Sequence, residues 1–306
     1  MKPVYHITLM AGGTSAEREV SLRSGAGVAK ALRSLGHEVT ELDPAGGEWV
    51  LPAGTDVVCL APLHGTYGED GTIQRELESK GVPYTGCDAN SSAVAFDKLE
   101  TKKRCLAAGV PTPRFEILTS PEAGWPGGWH PPVVLKPVCQ GSSIGLQFVE
   151  RREDWRGALS ESFRHDSRVL MEERIAGREL TVGILENRAL PVLEVRPRQG
   201  GFDYRNKYTP GATEYLCPAL LPPEVAARAQ EAALGAFRAV GGRDFGRVDV
   251  MLRDEEPFVL EVNTLPGMTE TSLFPKAAAA AGVGYAALCE RMIELALQRR
   301  PDMPKG

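Results

Sequence analysis

Residues 246–269, GRVDVMLRDEEPFVLEVNTLPGMT, constrain this chain more than any other stretch. Two apolar-rich runs, 247–252 and 258–263, flank a polar segment, 253–257, and that pattern predicts a β-hairpin. Side chains alternate faces along a strand. Val248, Val250 and Leu252 therefore share one face of the first strand, with Arg247, Asp249 and Met251 on the other. On the second strand Phe258, Leu260 and Val262 share one face, and Val259, Glu261 and Asn263 the other. Pairing the apolar faces gathers Arg247, Asp249, Glu261 and Asn263 opposite them. Two carboxylates and an amide oxygen form a hard donor set that suits Mg²⁺, which takes one or two carboxylates together with substrate phosphates. The plainer reading is a hairpin face that is polar because water touches it. The tail of the hairpin, NTLPGMT, leaves through a Pro-Gly turn whose backbone N–H groups can face the same place.

The 306 residues leave room for two or three domains. A formal charge of −5 supplies no basic footprint, which argues against a nucleic-acid partner. No apolar run approaches the roughly 20 residues of a membrane span. The apolar run at 4–10 fits a first strand better than a signal segment. The six cysteines contain no CxxC pair or zinc spacing, and are expected to be reduced, packed thiols of a cytoplasmic protein. Cys139, near a glycine-rich loop, is either reactive or a small space-filling side chain; the second is the commoner behaviour of a free cysteine.

Along the chain, a strand at 4–10, a Gly-Gly turn and a helix with Leu22, Ala26, Ala29 and Leu32 on one face begin an open α/β sheet. Strands at 39–42 and 57–61 and a helix at 74–79 continue it, and ligands bind at the ends of such strands. Glu17, in TSAE, fits a capping box, which competes with a ligand-facing role. His64 lies in the glycine-rich LHGTYGEDG. Asp97 can cap a helix that Gly109 ends, with Lys98 in its first turn. Residues 120–132, SPEAGWPGGWHPP, form a surface loop where Trp125 and Trp129 pack locally. A strand at 132–137 carries Lys136, and QGSSIG at 140–145 follows. Its glycines and hydroxyls can cradle phosphate oxygens, although a plain hairpin turn fits that short string as well. Glu172 and Glu179 sit at strand ends, at 169–174 and ahead of 180–185; a further strand spans 190–195. Residues 199–219 have no clean period, and a loop of that length in a compact enzyme is usually a lid that excludes water. Amphipathic helices follow at 224–240 and 285–297.

Taken together, GGTSAEREVS, LHGTYGEDGT, GSSIG, FDYRNKY, RVDVM and LEVNTLPGMT resemble, in order and over nearly the whole chain, the D-alanine–D-alanine ligases of the ATP-grasp superfamily. The resemblance implies an α/β (α+β) three-domain ATP-grasp fold. Its parts would be an N-terminal Rossmann-like open-sheet substrate domain at 1–95, a small central domain at 96–178, and a catalytic domain at 179–306 with its lid at 199–219. ATP would lie between the second and third. The implied reaction joins two D-alanine molecules through a D-alanyl phosphate for peptidoglycan precursors, with ATP and two Mg²⁺ ions, Mn²⁺ substituting. By the same resemblance, Glu17, His64, Arg247, Gly267, Ser272 and Leu273 would contact substrate, and Ser142 and Tyr208 would join Glu17, Arg247 and Gly267 in catalysis. Lys98, Lys136, Ser142, Glu172, Glu179 and Lys207 would hold ATP, and Asp249, Glu261 and Asn263 the metal. Phe202 departs from the tyrosine common in relatives and receives no hydrogen-bonding role. The likeness also implies a cytoplasmic homodimer acting on small molecules, with no membrane partner. A D-alanine–D-lactate ligase, another ATP-grasp carboxylate–amine ligase, and a non-catalytic nucleotide-binding module remain as alternatives.

Overall fold

The structure, a computed structural model, describes residues 3–15, 17–197 and 213–299. Its first part comprises β1 (His6–Met10), α1 (Arg18–Ser34), β2 (Glu38–Leu42), β3 (Val57–Leu60), α2 (Thr72–Ser79), α3 (Ala89–Phe96) and α4 (Lys98–Ala107). Next come β4 (Phe115–Leu118), β5 (Val133–Pro137), β6 (Gln147–Val149), α5 (Trp155–Phe163) and β7 (Val169–Glu173). The remainder holds β8 (Arg178–Leu185), β9 (Arg188–Ala189), β10 (Leu193–Pro197), β11 (Thr213–Leu216), α6 (Pro223–Ala239), β12 (Phe245–Arg253), β13 (Glu256–Asn263), α7 (Leu273–Ala280) and α8 (Tyr285–Gln298).

Three sheets result. The first is parallel, in the order β2-β1-β3, as strands joined by a crossover helix must be. Ile7, Leu9, Val57 and Cys59 pack against Val28 and Leu32 of α1, and the final helix closes the same core with Leu288, Met292 and Ile293. Helix α8 is thus last in sequence among the described helices but belongs to the first layer. The second sheet, β4-β7-β5-β6, is antiparallel and covered by α5. Trp129 and Trp155 lie in its core, and Trp125 meets Trp155 edge-on at 5.0 Å. The third sheet runs β11-β10-β8-β12-β13, with β9 beside β8, and α6 buries Val225, Ala229, Ala232 and Ala236 against it.

The hairpin forms, with one difference in its register. Asp254 and Glu255 are the two turn residues, both at positive φ (48° and 66°), which is the type I′ geometry that matches strand twist. Val248 pairs with Val262, and Asp249 with Glu261, but Val250 pairs with Val259. A bulge has placed one extra residue on β13. Bulges re-aim side chains, and here Val259 turns into the core while Leu260 joins Glu261 on the open face. The expected alternation of Phe258, Leu260 and Val262 on one apolar face is therefore broken. Residues 213–216, expected within a loop, form β11 against β10. Helix α3 had no sequence period to announce it; Asp88 caps it by accepting from Ser91 N at 2.8 Å.

Candidate active site

Two cavities, of about 610 and 670 Å³, share the residues Lys98, Gln140 and Glu261. The first opens among the start of α1, the loop after β3, residues 140–142 and the turn after β13. The second lies between the central and the large sheet.

In the first cavity Glu17 is 5% exposed and sits where α1 begins, but its side chain makes no capping bond. Its carboxylate instead accepts from the Ser142 hydroxyl. The capping-box reading fails because a partner outside the helix holds the side chain. His64 Nδ1 lies 3.7 Å from Glu17 and 3.6 Å from Glu69. Burial pulls the His64 imidazole down, but the carboxylates of Glu69 and Glu17 outweigh it, and the net direction is up. A raised folded value means that the protonated ring stabilises the fold fully below the unfolded value of about 6.5, and that this contribution is lost as pH rises through the folded value. Thermal melts of the wild type and a His64→Gln variant should therefore converge between about pH 6 and about pH 9. A gap that stays constant would show that His64 carries no extra proton.

Arg247, Asp249, Glu261 and Asn263 gather on the open face of the hairpin, as the sequence predicts. Arg247 donates from Nε to Asp249 Oδ1 (2.9 Å) and from a terminal nitrogen to Oδ2 (2.8 Å), and Thr181 Oγ1 lies 2.6 Å from Oδ1. Burial opposes the guanidinium's charge, but Asp249, Glu261 and Glu69 raise its pKa. Glu261 stands opposite Asp249, with Lys98 Nζ at 3.8 Å. Lys98 also donates to the Gln140 carbonyl. Asn263 Oδ1 accepts from Leu265 N at 3.0 Å and so shapes the exit turn. Among the described residues no three His, Cys, Asp or Glu side chains cluster as metal ligands. Asp249 and Glu261 form a pair with an amide oxygen beside it, and an oxygen set of that size fits a Mg²⁺ that takes its remaining ligands from phosphates and water.

Gly267 follows on the exit turn; a Cβ there would stand 3.0 Å from Ser272 Oγ. Ser272 Oγ accepts from Thr269 N at 3.1 Å, and Leu273 opens α7. Both line the first cavity.

The loop 140–145 separates the cavities. Ser142 and Ser143 both adopt positive φ (53° and 59°), uncommon for residues with a Cβ and a mark of functional loops. In the second cavity Lys136 donates to Glu172 Oε2 at 2.6 Å, and Glu179 lines the wall. Val134, Phe148, Met251 and Leu260 give this cavity an apolar slot, with Val134 paired to Glu172 across the central sheet, and Lys98, Ser143, Asp249 and Glu261 add polar walls.

Sequence reasoning missed three groups. Glu69 was inside a motif dominated by glycines. Lys102, one helical turn after Lys98 and thus on the same face, pairs with Glu172. Arg178 and Arg196 both hold the buried Glu194 at the second cavity's edge (2.6 and 2.8 Å). Lys207, Tyr208 and Phe202 lie outside the described residues. Cys139 lies near Asp166 and Arg168, and burial, with the charges of Asp97 and Asp166, pushes its thiol up, in keeping with a packing role.

A family model described as "D-ala D-ala ligase C-terminus" matches residues 108–294. A D-alanine–D-alanine ligase of Methylacidiphilum infernorum is 46% identical over 295 residues, covering 96% of each chain. A crystal structure of the D-alanine–D-alanine ligase from Bacillus anthracis superposes with a TM-score of 0.85 at 35% identity, over 97% of this chain and 99% of that one. The same enzyme complexed with ATP gives 0.82 at 34% identity, over 98% and 99%. Matches of this extent, with an ATP-grasp arrangement of sheets and both cavities in place, show that the chain belongs to the D-alanine–D-alanine ligase family.

Proposed function

We propose that this enzyme joins two D-alanine molecules to D-alanyl-D-alanine at the expense of ATP, for peptidoglycan precursors. The carrying observation is the seam at Lys98 and Glu261, where a cavity suited to amino acids opens into one suited to a nucleotide. A carboxylate is a poor electrophile, so it must first become an acyl phosphate, and that transfer has to occur where the two cavities meet. The base of ATP fits the apolar slot beside Glu172, Glu179 takes the ribose, and Lys98 and Lys136, with Lys207, offset phosphate charge. Asp249, Glu261 and Asn263 would hold Mg²⁺, in two ions, which neutralises phosphate oxygens during transfer.

Glu17 takes the ammonium of the first D-alanine, with His64 beside it, because a buried carboxylate is the expected partner of an ammonium. Ser272 and Leu273 receive the second carboxylate. The second amine attacks the acyl carbon, and Arg247 with the Gly267 N–H stabilises the oxyanion. Ser142 bonds Glu17, and Tyr208 would extend that chain from the lid. The chain works in parts at 1–95, 96–178 and 179–306, and as a homodimer. The six free thiols suit a reducing compartment, and we place the enzyme in the cytoplasm.

ADP release measured with D- and L-amino acids and D-lactate tests the substrate assignment. D-alanine alone should support full turnover; preference for another acceptor would overturn it. Glu17→Gln tests the first subsite. A charge-assisted contact is worth about 1.5–3 kcal/mol, so the Michaelis constant for the first D-alanine should rise roughly 10- to 100-fold. The melting temperature should fall only slightly, because no helix cap is lost and the amide oxygen can still accept from Ser142. A lower melting temperature with unchanged D-alanine affinity would return Glu17 to a structural role.

A further inference from the structure

Lys102 is one of the largest side chains among the described residues that are almost wholly withdrawn from solvent, at 1% exposure. A buried ammonium is costly unless partnered, and Nζ has oxygen neighbours on three sides: Glu172 Oε1 at 2.9 Å, Thr112 Oγ1 at 2.6 Å and the Pro113 carbonyl at 3.3 Å. Thr112 in turn donates to the Val259 carbonyl at 2.8 Å, on the bulged strand that carries Glu261. Lys102 does not line either cavity, whereas Glu172 and Lys136 line the second. The ammonium therefore acts through Glu172.

The two oxygens of Glu172 are not equivalent. Oε2 is committed to Lys136 at 2.6 Å. Oε1 is itself buried, with Lys102 close by but outside hydrogen-bonding alignment, and no donor among the described residues satisfies it. Glu172 lines the second cavity together with Val134, Phe148, Met251 and Leu260, so this buried, unsatisfied oxygen is the acceptor nearest a base seated there. Burial alone would push the Glu172 carboxyl up, but the charges of Lys102 and Lys136 hold it below its ordinary value. An ionised carboxylate only accepts hydrogen bonds. Adenine presents an amino donor at the position where guanine presents a carbonyl acceptor.

We propose that Lys102 is a positioning residue that fixes Glu172 as an acceptor-only group at the base slot and thereby sets the preference for adenine over guanine nucleotides. The proposal rests on the reading of the second cavity as the nucleotide site. The test is steady-state ADP or GDP release with ATP and GTP by the wild type, Lys102→Met and Thr112→Val. Loss of one charge-assisted contact corresponds to about tenfold or more. Lys102→Met should raise KM for ATP by about that factor, leave KM for D-alanine within about twofold, and cut the ATP-over-GTP ratio of kcat/KM at least about tenfold. Thr112→Val, which keeps every charge but frees the ammonium, should move both nucleotide quantities in the same direction by less. A cooperatively melting Lys102→Met that keeps its ATP affinity and base preference would overturn the proposal and leave Lys102 a structural counter-ion. If Lys102→Met does not fold, unchanged nucleotide constants in Thr112→Val overturn it. Wild-type enzyme that releases no ADP from ATP would overturn the nucleotide reading itself, before any variant is compared.

Discussion

Glu261→Gln is expected to lower turnover at least about a hundredfold while leaving thermal stability unchanged. The change is nearly isosteric, and the side chain is partly exposed on the open face of the hairpin, so packing has little to lose. The chemistry loses a charged oxygen opposite Asp249, at the seam of the two cavities. A metal ion supplies several kcal/mol of charge stabilisation to phosphoryl transfer, and a hundredfold loss corresponds to roughly 2.7 kcal/mol. Part of the loss should be recovered at high Mg²⁺, because the neutral amide weakens binding without blocking it. ADP release across a Mg²⁺ titration measures this. A folded variant with near-normal turnover at ordinary Mg²⁺ would remove Glu261 from the metal assignment.

Arg247→Lys should be almost as damaging, although it conserves charge. The guanidinium spans both oxygens of Asp249 at 2.9 and 2.8 Å while also facing the first cavity. An ammonium is a point charge and cannot reproduce that fork. It can satisfy Asp249 or meet a developing oxyanion, not both in the present geometry. Removal of one oxyanion donor typically costs about 10²–10³ in kcat. The expected result is a fall of about that size in kcat, with a smaller change in KM for either D-alanine. If a folded Arg247→Lys variant keeps kcat within about fivefold, Arg247 is not the donor that meets the transition state.

The hairpin chemistry was legible because a period of two is rigid: once Val248 and Val262 face inward, Arg247, Asp249, Glu261 and Asn263 must face outward. The bulge at Leu260 was not legible, since one extra residue leaves no trace in composition. It matters nonetheless, because it aims an apolar side chain into the second cavity. Asp97 announced its helix, and its carboxylate does accept from Glu100 N at 3.0 Å. Thr14 to Glu17 announced a cap equally well, yet Glu17 serves Ser142, a residue 125 positions away. Local patterns cannot choose between a local and a distant partner when both satisfy the same carboxylate. Lys102 was hidden for a related reason. A lysine on a charged helix looks solvated until the fold places Glu172 against it.

The placement of α8 against β3 and α1 has a consequence for how the chain is born. Ile7, Leu9, Val57 and Cys59 leave the ribosome well before the residues that cover them, Leu288, Cys289, Met292, Ile293 and Ala296. The first sheet must wait for both later sheets to be made before its hydrophobic interior is sealed. Such long-range closure slows folding, and an uncovered apolar layer invites association between nascent chains. The first sheet and α8 therefore stand or fall as one unit: a chain cut short before α8 would lose the cover of that core, although every residue implicated in chemistry would still be present.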